Sequence, residues 1–376
     1  MSKNTLIDYF CFCWLLAIIT CIMGLELQIS QQFSKDIIDL LSATVYGTSG
    51  KTRFQHTGVD KKIQKLPNPY FITLKKENRL LGVANYNLKN KILPPLAINQ
   101  FYIRYFSFLE SMRINKPGKK KATSRNKIKD DILSFMEKGS FEEEFHKAIY
   151  FAFIEMENER SKMMVNSLGF VPIRELSTSL FSRFFPKIDE KVKEITPEQK
   201  PFIKKRLEEF YKGYTFYDPA YLFENGNYYV LMDGDEIVAG IQATKTTWIV
   251  KELPGWDGKI LFHLLPYIPL VSRVFNPRDY SFASLEYLFV KSGYEKFLNV
   301  LLESVCAFQH LNNAMIWADN KSPLYNTLRK NVKFGILDKL HKTVPGQIVV
   351  KYTGLERSEK NFFENTPAYI SAFDLT

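Results

Sequence analysis

Between Asn99 and Phe170 the chain reads NQFYIRYFSFLESMRI, NKPGKKKATSRN, KIKDDILSFMEKG, then HKAIYFAFIEMEN and ERSKMMVNSLGF. The pattern predicts a long alternating strand over Gln100–Met112, a cationic loop, and a helix over Lys127–Met136. Ile128, Ile132, Leu133 and Phe135 form the helix's apolar side. The continuous apolar run Ala148–Ile154 predicts a strand covered on both faces. A short helix over Ser161–Leu168 is stopped by Gly169. The loop from Arg113 to Lys129 carries Arg113, Lys116, Lys119, Lys120, Lys121, Arg125, Lys127 and Lys129, with no acid between Glu110 and Asp130. A cationic loop leading from a strand into a helix N-terminus offers free amides and a positive dipole end to an anion. Arg113, Gly118 and Lys119 are therefore candidate contacts for a phosphate-bearing ligand.

The whole chain is basic, with 51 Lys and Arg against 40 Asp and Glu and a net charge of +11. That surplus suits nucleic acid, an anionic membrane surface or a polyanionic ligand. Much of it sits in the one loop, which favours a local site over a global field. Of the Cys residues, Cys11, Cys13 and Cys21 lie in the first apolar run and Cys306 in the body. This gives neither a disulfide framework nor a paired metal-ligand spacing, and a reducing, cytoplasmic compartment is expected. His56, His146, His263, His310 and His341 are scattered, so no metal site is expected. The stretch Tyr9–Leu25 is apolar over about one short membrane span. It reads as a signal anchor to the cytoplasmic membrane, a cleaved signal, or an extension upstream of a start at Met23. Against a cleaved signal, only Lys3 precedes the apolar core and no small-x-small site follows it.

Along the body, LELQIS predicts a strand and the segment after Ser34 an amphipathic helix with Ile37, Ile38, Leu40 and Leu41 inward. Residues 47–69 read as a loop. PYFITLKKEN and RLLGVANYNL form a hairpin turning at Glu77-Asn78, closed by a break over Lys91–Pro95. Val171–Phe185 predicts one or two strands, and Lys187–Tyr214 a charged helical stretch interrupted by Pro197 and Pro201. YYVLMDGDEIVAGIQATKTTW is a hairpin about Asp233-Gly234-Asp235. Residues 252–278 read as an irregular insertion. A strand (SFASLEYLFV), a helix (YEKFLNVLLESVCAFQHL), a strand (NAMIWAD), a short helix (SPLYNTLRKN) and a closing strand (GQIVVKYTGL) follow. Ser161 and Ser322 read as helix N-caps. The halves share their order and a local echo, Asn158…Arg160-Ser161…Leu168 against Asn320-Lys321-Ser322…Leu328, which an internal duplication explains.

In this order of elements, and in Asn158-x-Arg160-Ser161…Leu168-Gly169-Phe170, the chain resembles the Gcn5-related N-acetyltransferase superfamily in a tandem arrangement. The resemblance implies an α/β fold of two acyl-CoA N-acyltransferase-like domains, each a mixed, largely antiparallel sheet flanked by helices. It places them at residues 23–186 and 187–376, after a leader at 1–22. It implies acetyl-CoA or another acyl-CoA as cosubstrate, no metal, and an amine as acceptor. The second domain would complete the acceptor site or act as scaffold. Carried over residue by residue, the pyrophosphate loop corresponds to Arg125, Asn126 and Lys127, with Ile128 and Asp130 where the family has small residues. Asn158 and Ser161 match the segment that contacts the pantetheine arm, with a turn or helix-capping role as the alternative for Asn158. Glu110 suits a general base for deprotonating the amine, with pairing to Arg113 as its structural alternative. The family's acid, a Tyr, is replaced by Val165 in the first half. Tyr325 stands at that place in the second, where groove packing is the alternative. Two rival classes use the same features: a non-catalytic polyanion- or nucleic-acid-binding protein, and a tRNA-dependent aminoacyl transferase.

Overall fold

The computed structural model describes residues 25–89, 98–109, 119–138, 147–340 and 345–376, with 119–127, 138, 256, 257, 259 and 261 described by backbone alone. The apolar leader up to Gly24, the break at Lys91–Pro95, Glu110, Arg113 and Gly118 lie outside the described residues. The chain divides into two compact units. One ends at Thr44 and resumes over Gly58–Tyr150; the other comprises Val45–Thr57 and Phe151–Thr376.

In the first unit, strands β1 (Leu25–Ser30), β3 (Pro69–Lys76), β4 (Arg79–Lys89) and β5 (Asn99–Phe108) are neighbours in that order. All these pairs are antiparallel. The β3–β4 turn is as the sequence predicts. Glu77 and Asn78 both have positive φ, 49° and 64°, as a tight two-residue hairpin turn requires. Helix α1 (Lys35–Ala43) has Ser34 as N-cap residue and buries Ile37, Leu40 and Leu41. One sheet face packs Tyr86, Phe101 and Tyr150, the last on strand β6 (Ala148–Glu155), the neighbour of β5. Phe135 of helix α3 (Lys119–Lys138) meets Tyr86 edge-on, with ring centroids 5.9 Å apart.

Helix α3 corrects the expected basic loop. The cations from Lys119 to Lys129 lie on a helix that begins at Lys119, not in a loop ending at Lys127. Pro117-Gly118 are the last breakers in the sequence before Lys119, and the run that follows, KKKATSRNKIK, holds neither Pro nor Gly to stop a helix. The predicted loop over 47–69 also contains structure: strand β2 (Arg53–His56) and helix α2 (Val59–Gln64). Short, unalternating RFQH becomes a strand only because it finds a distant partner, β10 (Glu236–Glu252).

In the second unit the order is β13 (Gly346–Thr353), β7 (Val171–Ser182), β12 (Asn313–Asp319), β11 (Tyr280–Val290), β10, β9 (Asn227–Asp233) and β8 (Val192–Glu194). The β11–β12 pair is parallel and the other described pairs are antiparallel. Strand β7, which the sequence echo assigns to the first half, thus lies between two strands of the second. Gly234, with φ +59°, opens the β9–β10 turn. Helices α4 (Glu159–Ser167), α5 (Lys200–Phe210), α8 (Leu298–Phe308) and α9 (Pro323–Asn331) follow the predicted places. The expected irregular insertion at 252–278 instead forms helices α6 (Gly255–Leu264) and α7 (Pro269–Val274). Helix α10 (Ile336–Leu340) precedes β13, and α11 (Arg357–Asn365) and α12 (Ala372–Leu375) end the described chain. Tyr369, Ile370, Ala372 and Phe373 are buried, although nothing in the sequence pattern after GQIVVKYTGL marks them as core. Among the described residues no helix is long and apolar enough to cross a membrane, and no cluster of His, Cys, Asp and Glu is placed to hold a metal.

Candidate functional site

Each unit contains a bulged strand, β5 where it pairs with β4 and β11 where it pairs with β10. In β5, Arg104 pairs with Asn85 and Ser107 with Val83, so Ala84 alone faces Tyr105 and Phe106. In β11, Glu286 pairs with Gln242 and Phe289 with Gly240, so Ile241 alone faces Tyr287 and Leu288. Tyr105 and Tyr287 adopt left-handed φ values of 55° and 52°. For a Tyr this conformation costs on the order of 1–3 kcal/mol and persists only where its surroundings fix it. A bulge releases backbone groups from the ladder and bends the strand away from its neighbour. In the second unit the consequence is visible: β11 and β12 pair from Ala283–Ala314 to Leu285–Ile316 and then part at the bulge.

The gap so opened in the second unit is filled by its own chain. The Tyr287 N–H donates to Tyr369 Oη at 3.0 Å. Tyr228 Oη donates to the Tyr287 carbonyl at 2.8 Å, and Tyr211 Oη to the Leu288 carbonyl at 2.8 Å. Tyr369, Ile370 and Ala372 join Trp317 and Leu324 along the gap, leaving about 10 Å³ free. That is room for about one water. Beside it, Glu286 Oε1 accepts from Gln242 Nε2 at 2.9 Å, while Oε2 accepts from the Phe373 N–H at 3.3 Å and from Ser371 Oγ. Burial pushes the Glu286 carboxyl up, against the pull of these hydrogen bonds. Burial holds the Tyr211, Tyr228, Tyr287 and Tyr369 hydroxyls well above the usual phenol range. This is a packed polar core with its groups paired.

The first unit's bulge stands in a different setting. Pairing register and alternation put Asn85, Asn87 and Lys89 of β4 on one face with Gln100, Tyr102, Arg104 and Ser107 of β5. This is the face opposite Tyr86 and Phe101, and all seven side chains are buried. The Lys89 ammonium lies 5.7 Å from the Tyr102 ring centre, and the Arg104 guanidinium 4.4 Å from that of Tyr105. Asn85 Nδ2 donates to the Tyr70 carbonyl at 3.4 Å. Asn85 Oδ1, both polar atoms of Asn87 and Ser107 Oγ have no hydrogen-bond partner among the described residues. The corresponding side chains of the second unit are satisfied. Gln242 bonds the Phe223 N–H, the Tyr221 carbonyl and Glu286, and Thr244 bonds the Asn225 carbonyl.

The next described element after β5 is α3, whose first turn holds Lys119, Lys120 and Lys121 and no acid. Cations at a helix N-terminus oppose the dipole by about 0.3–1 kcal/mol each. An anion bound there would reverse that penalty. Arg125, Asn126 and Lys127 lie within the same helix, as do Ile128 and Asp130. Asn158 and Ser161 are brought together in the second unit: Asn158 Oδ1 accepts from the Ser161 N–H at 3.1 Å, capping α4. The N-cap of α4 is thus Asn158, with Ser161 inside the first turn, whereas Ser322 is the N-cap of α9 as read from sequence. Tyr325 lies in the first turn of α9, its N–H donating to Ser322 Oγ at 3.1 Å, half-buried.

Neither a protein-family profile nor a curated relative matches the chain. Solved structures do. Saccharomyces cerevisiae N-myristoyltransferase with bound myristoyl-CoA superposes with a TM-score of 0.53 at 10% identity, over 90% of this chain and 86% of that one. A second structure of the yeast protein with myristoyl-CoA gives 0.54 at 10% identity, over 92% and 84%. The chain has the acyl-CoA N-acyltransferase fold. A GCN5-related N-acetyltransferase from Anabaena variabilis aligns with a TM-score of 0.44 at 9% identity, over 87% of this chain and 72% of that one. The bulge recurs at matching register positions, with the Asn85–Arg104 pair before Tyr105 in one unit and the Gln242–Glu286 pair before Tyr287 in the other.

Proposed function

We propose that the chain is an acyl-CoA N-acyltransferase whose first unit binds acyl-CoA and transfers the acyl group to an amine. The observation that carries the reading is the β5 bulge at Tyr105, on this fold, followed by a helix that begins with lysines. Backbone groups released by such a bulge suit a thioester carbonyl, and the start of α3 suits the cosubstrate's phosphates. Lys119, Arg125, Asn126 and Lys127, with Arg113 and Gly118 just upstream, are the residues we assign to phosphate binding. The second unit serves as scaffold, its corresponding gap being filled by Tyr369, Ile370 and Ala372. The division into domains 23–186 and 187–376 belongs to the same proposal.

Amine acylation requires a neutral nucleophile, so a base must take its proton. Glu110, two residues beyond β5, is our assignment for that role. Titrating the full chain with CoA by calorimetry tests binding; no uptake of CoA or acetyl-CoA removes the enzyme reading, and uptake of a short RNA instead supports the polyanion-binding rival. If acyl-CoA binds, Glu110→Gln lowers kcat by about 10²–10⁴-fold with the affinity for acyl-CoA little changed. Unchanged turnover takes the role of base away from Glu110.

A further inference from the structure

The segment between β10 and β11 carries an apolar surface for which acyl transfer has no use. Helix α6 runs into the single turn Leu265–Tyr267, and α7 follows after Ile268. The inner side of this segment is anchored. Val274 is buried, and Phe262 and Phe275 pack against the buried cluster of Val250, Tyr280 and Phe282. The outer side is open. Leu264, Tyr267 and Leu270 are 52%, 72% and 53% exposed, and Ile260 and Ile268 are exposed with them. Ile260 and Leu264, four residues apart, share one face of α6. Large apolar side chains grouped in the open mark a surface that is covered in use. The backbone beneath them is already paired: the Ile268 N–H donates to the Leu265 carbonyl at 3.3 Å, and the Ser272 N–H to the Ile268 carbonyl at 2.8 Å. Pairing of this kind lets an irregular turn enter an apolar medium without stranding polar groups.

The charge around this surface selects its partner. No acid stands between Asp257 and Asp279, while Lys259, Arg273 and Arg278 fall within that run. The Arg278 guanidinium lies 5.9 Å from the Tyr267 ring centre. That of Arg273 lies 5.1 Å from the ring centre of Phe185, itself 61% exposed. An outward apolar stripe edged by arginines and a tyrosine suits a helix lying in a membrane interface. There the aliphatic side chains enter the acyl region and the cations stay with the headgroups. Hot spots for protein partners are dominated by Trp, Tyr and Arg, with Leu under-represented, whereas Leu and Ile predominate here. At ten residues α6 is about 15 Å long. That is half of a hydrocarbon core about 30 Å thick, so the helix can lie in a bilayer surface but not cross it. We propose that α6, the Leu265–Tyr267 turn and α7 dock the chain on a bilayer surface bearing anionic phospholipid. The docking surface goes beyond the acyltransferase reading and does not depend on acyl-CoA binding.

The test follows amide hydrogen exchange over residues 258–278 of the full chain by mass spectrometry. Two kinds of vesicle are added, phosphatidylcholine alone and equal parts of phosphatidylcholine and phosphatidylglycerol. Reading this segment alone separates it from any contribution of the apolar leader to vesicle binding. The mixed vesicles should slow its exchange at least about tenfold. Phosphatidylcholine alone should slow it less, and raised salt should weaken the effect. Leu264→Glu together with Leu270→Glu should abolish the slowing; both side chains are more than half exposed, so the melting temperature stays unchanged. Arg273→Gln with Arg278→Gln should raise the lipid needed for half the effect on the order of tenfold. Unslowed exchange with the mixed vesicles overturns the proposal, as does slowing that survives in the Glu pair. Equal slowing by phosphatidylcholine alone overturns the anionic preference and the proposal with it. Slowing without lipid as the chain is concentrated shows that a second copy covers this surface, which also overturns it. Should the Glu pair not yield folded protein, Leu264→Gln with Leu270→Gln takes its place, and slowing equal to that of the unaltered chain overturns the proposal.

Discussion

The hydroxyl of Tyr369 accepts the N–H of Tyr287 at 3.0 Å, in a fully buried setting. Removing it leaves a backbone donor with no water to turn to. Tyr369→Phe, which keeps the ring and its packing on Tyr211 and Tyr287, is expected to cost about 1–3 kcal/mol. Urea denaturation reads this as a lower midpoint with an unchanged m-value; an unchanged midpoint would mean the bulge is held by its other bonds. Residues like this one were beyond the reach of the sequence. Tyr369 follows a Pro in a stretch with no alternation and no helical period, and its role depends on a bulge far away in the chain. Asn85 and Asn87 were equally hidden, since Asn in a strand reads as an edge or a solvated face until the register shows both buried. Asn158 and Ser322, by contrast, could be read as local caps or contacts because a cap needs only its own next turn.

At the scale of elements, the buried tyrosines act together. Tyr211, Tyr228, Tyr287 and Tyr369 gather on β9, β11, helix α5 and its end, and the chain's last buried segment, and burial raises the pKa of each. In the unfolded chain a phenol ionises near its ordinary value of 10.0. Their folded pKa values lie higher, so the unfolded state gives up its protons first. The stability these groups contribute is complete below pH 10 and is lost as pH rises beyond it. Alkaline titration followed by phenolate absorbance should show them ionising in one cooperative step coincident with loss of near-ultraviolet circular dichroism. Gradual ionisation around pH 10, with tertiary signals intact, would contradict their burial. The elements that sequence exposed are those with local causes: the Glu77-Asn78 hairpin, the β9–β10 hairpin about Gly234, and α8 with its apolar stripe. Those it missed have non-local ones. Strand β2 exists through its pairing with β10, and the first turns of α3, KKKATSRN, carry no apolar period that would mark them as helix.

At the scale of the whole molecule, the two units carry bulged strand pairs in different surroundings. Each has a left-handed Tyr after a residue whose cross-strand neighbour is an Asn or Gln, Arg104 opposite Asn85 and Glu286 opposite Gln242. In the second unit, Tyr369, Ile370 and Ala372 occupy the space where β11 and β12 part, and about 10 Å³ remains. The pantetheine arm of CoA cannot enter so small a volume without expelling that segment. Expulsion would expose Tyr369, Ile370 and Phe373 and break the bonds to Tyr287 and Glu286. At roughly 25 cal/mol per Å² of apolar surface returned to water, that cost is several kcal/mol before any ligand contact is made. CoA should therefore titrate with a stoichiometry of one per chain. Tyr369→Phe should leave that stoichiometry unchanged, since the ring still fills the gap. Calorimetry returning two sites per chain would show that the second unit's plug is displaceable and that both copies of the repeat retain binding.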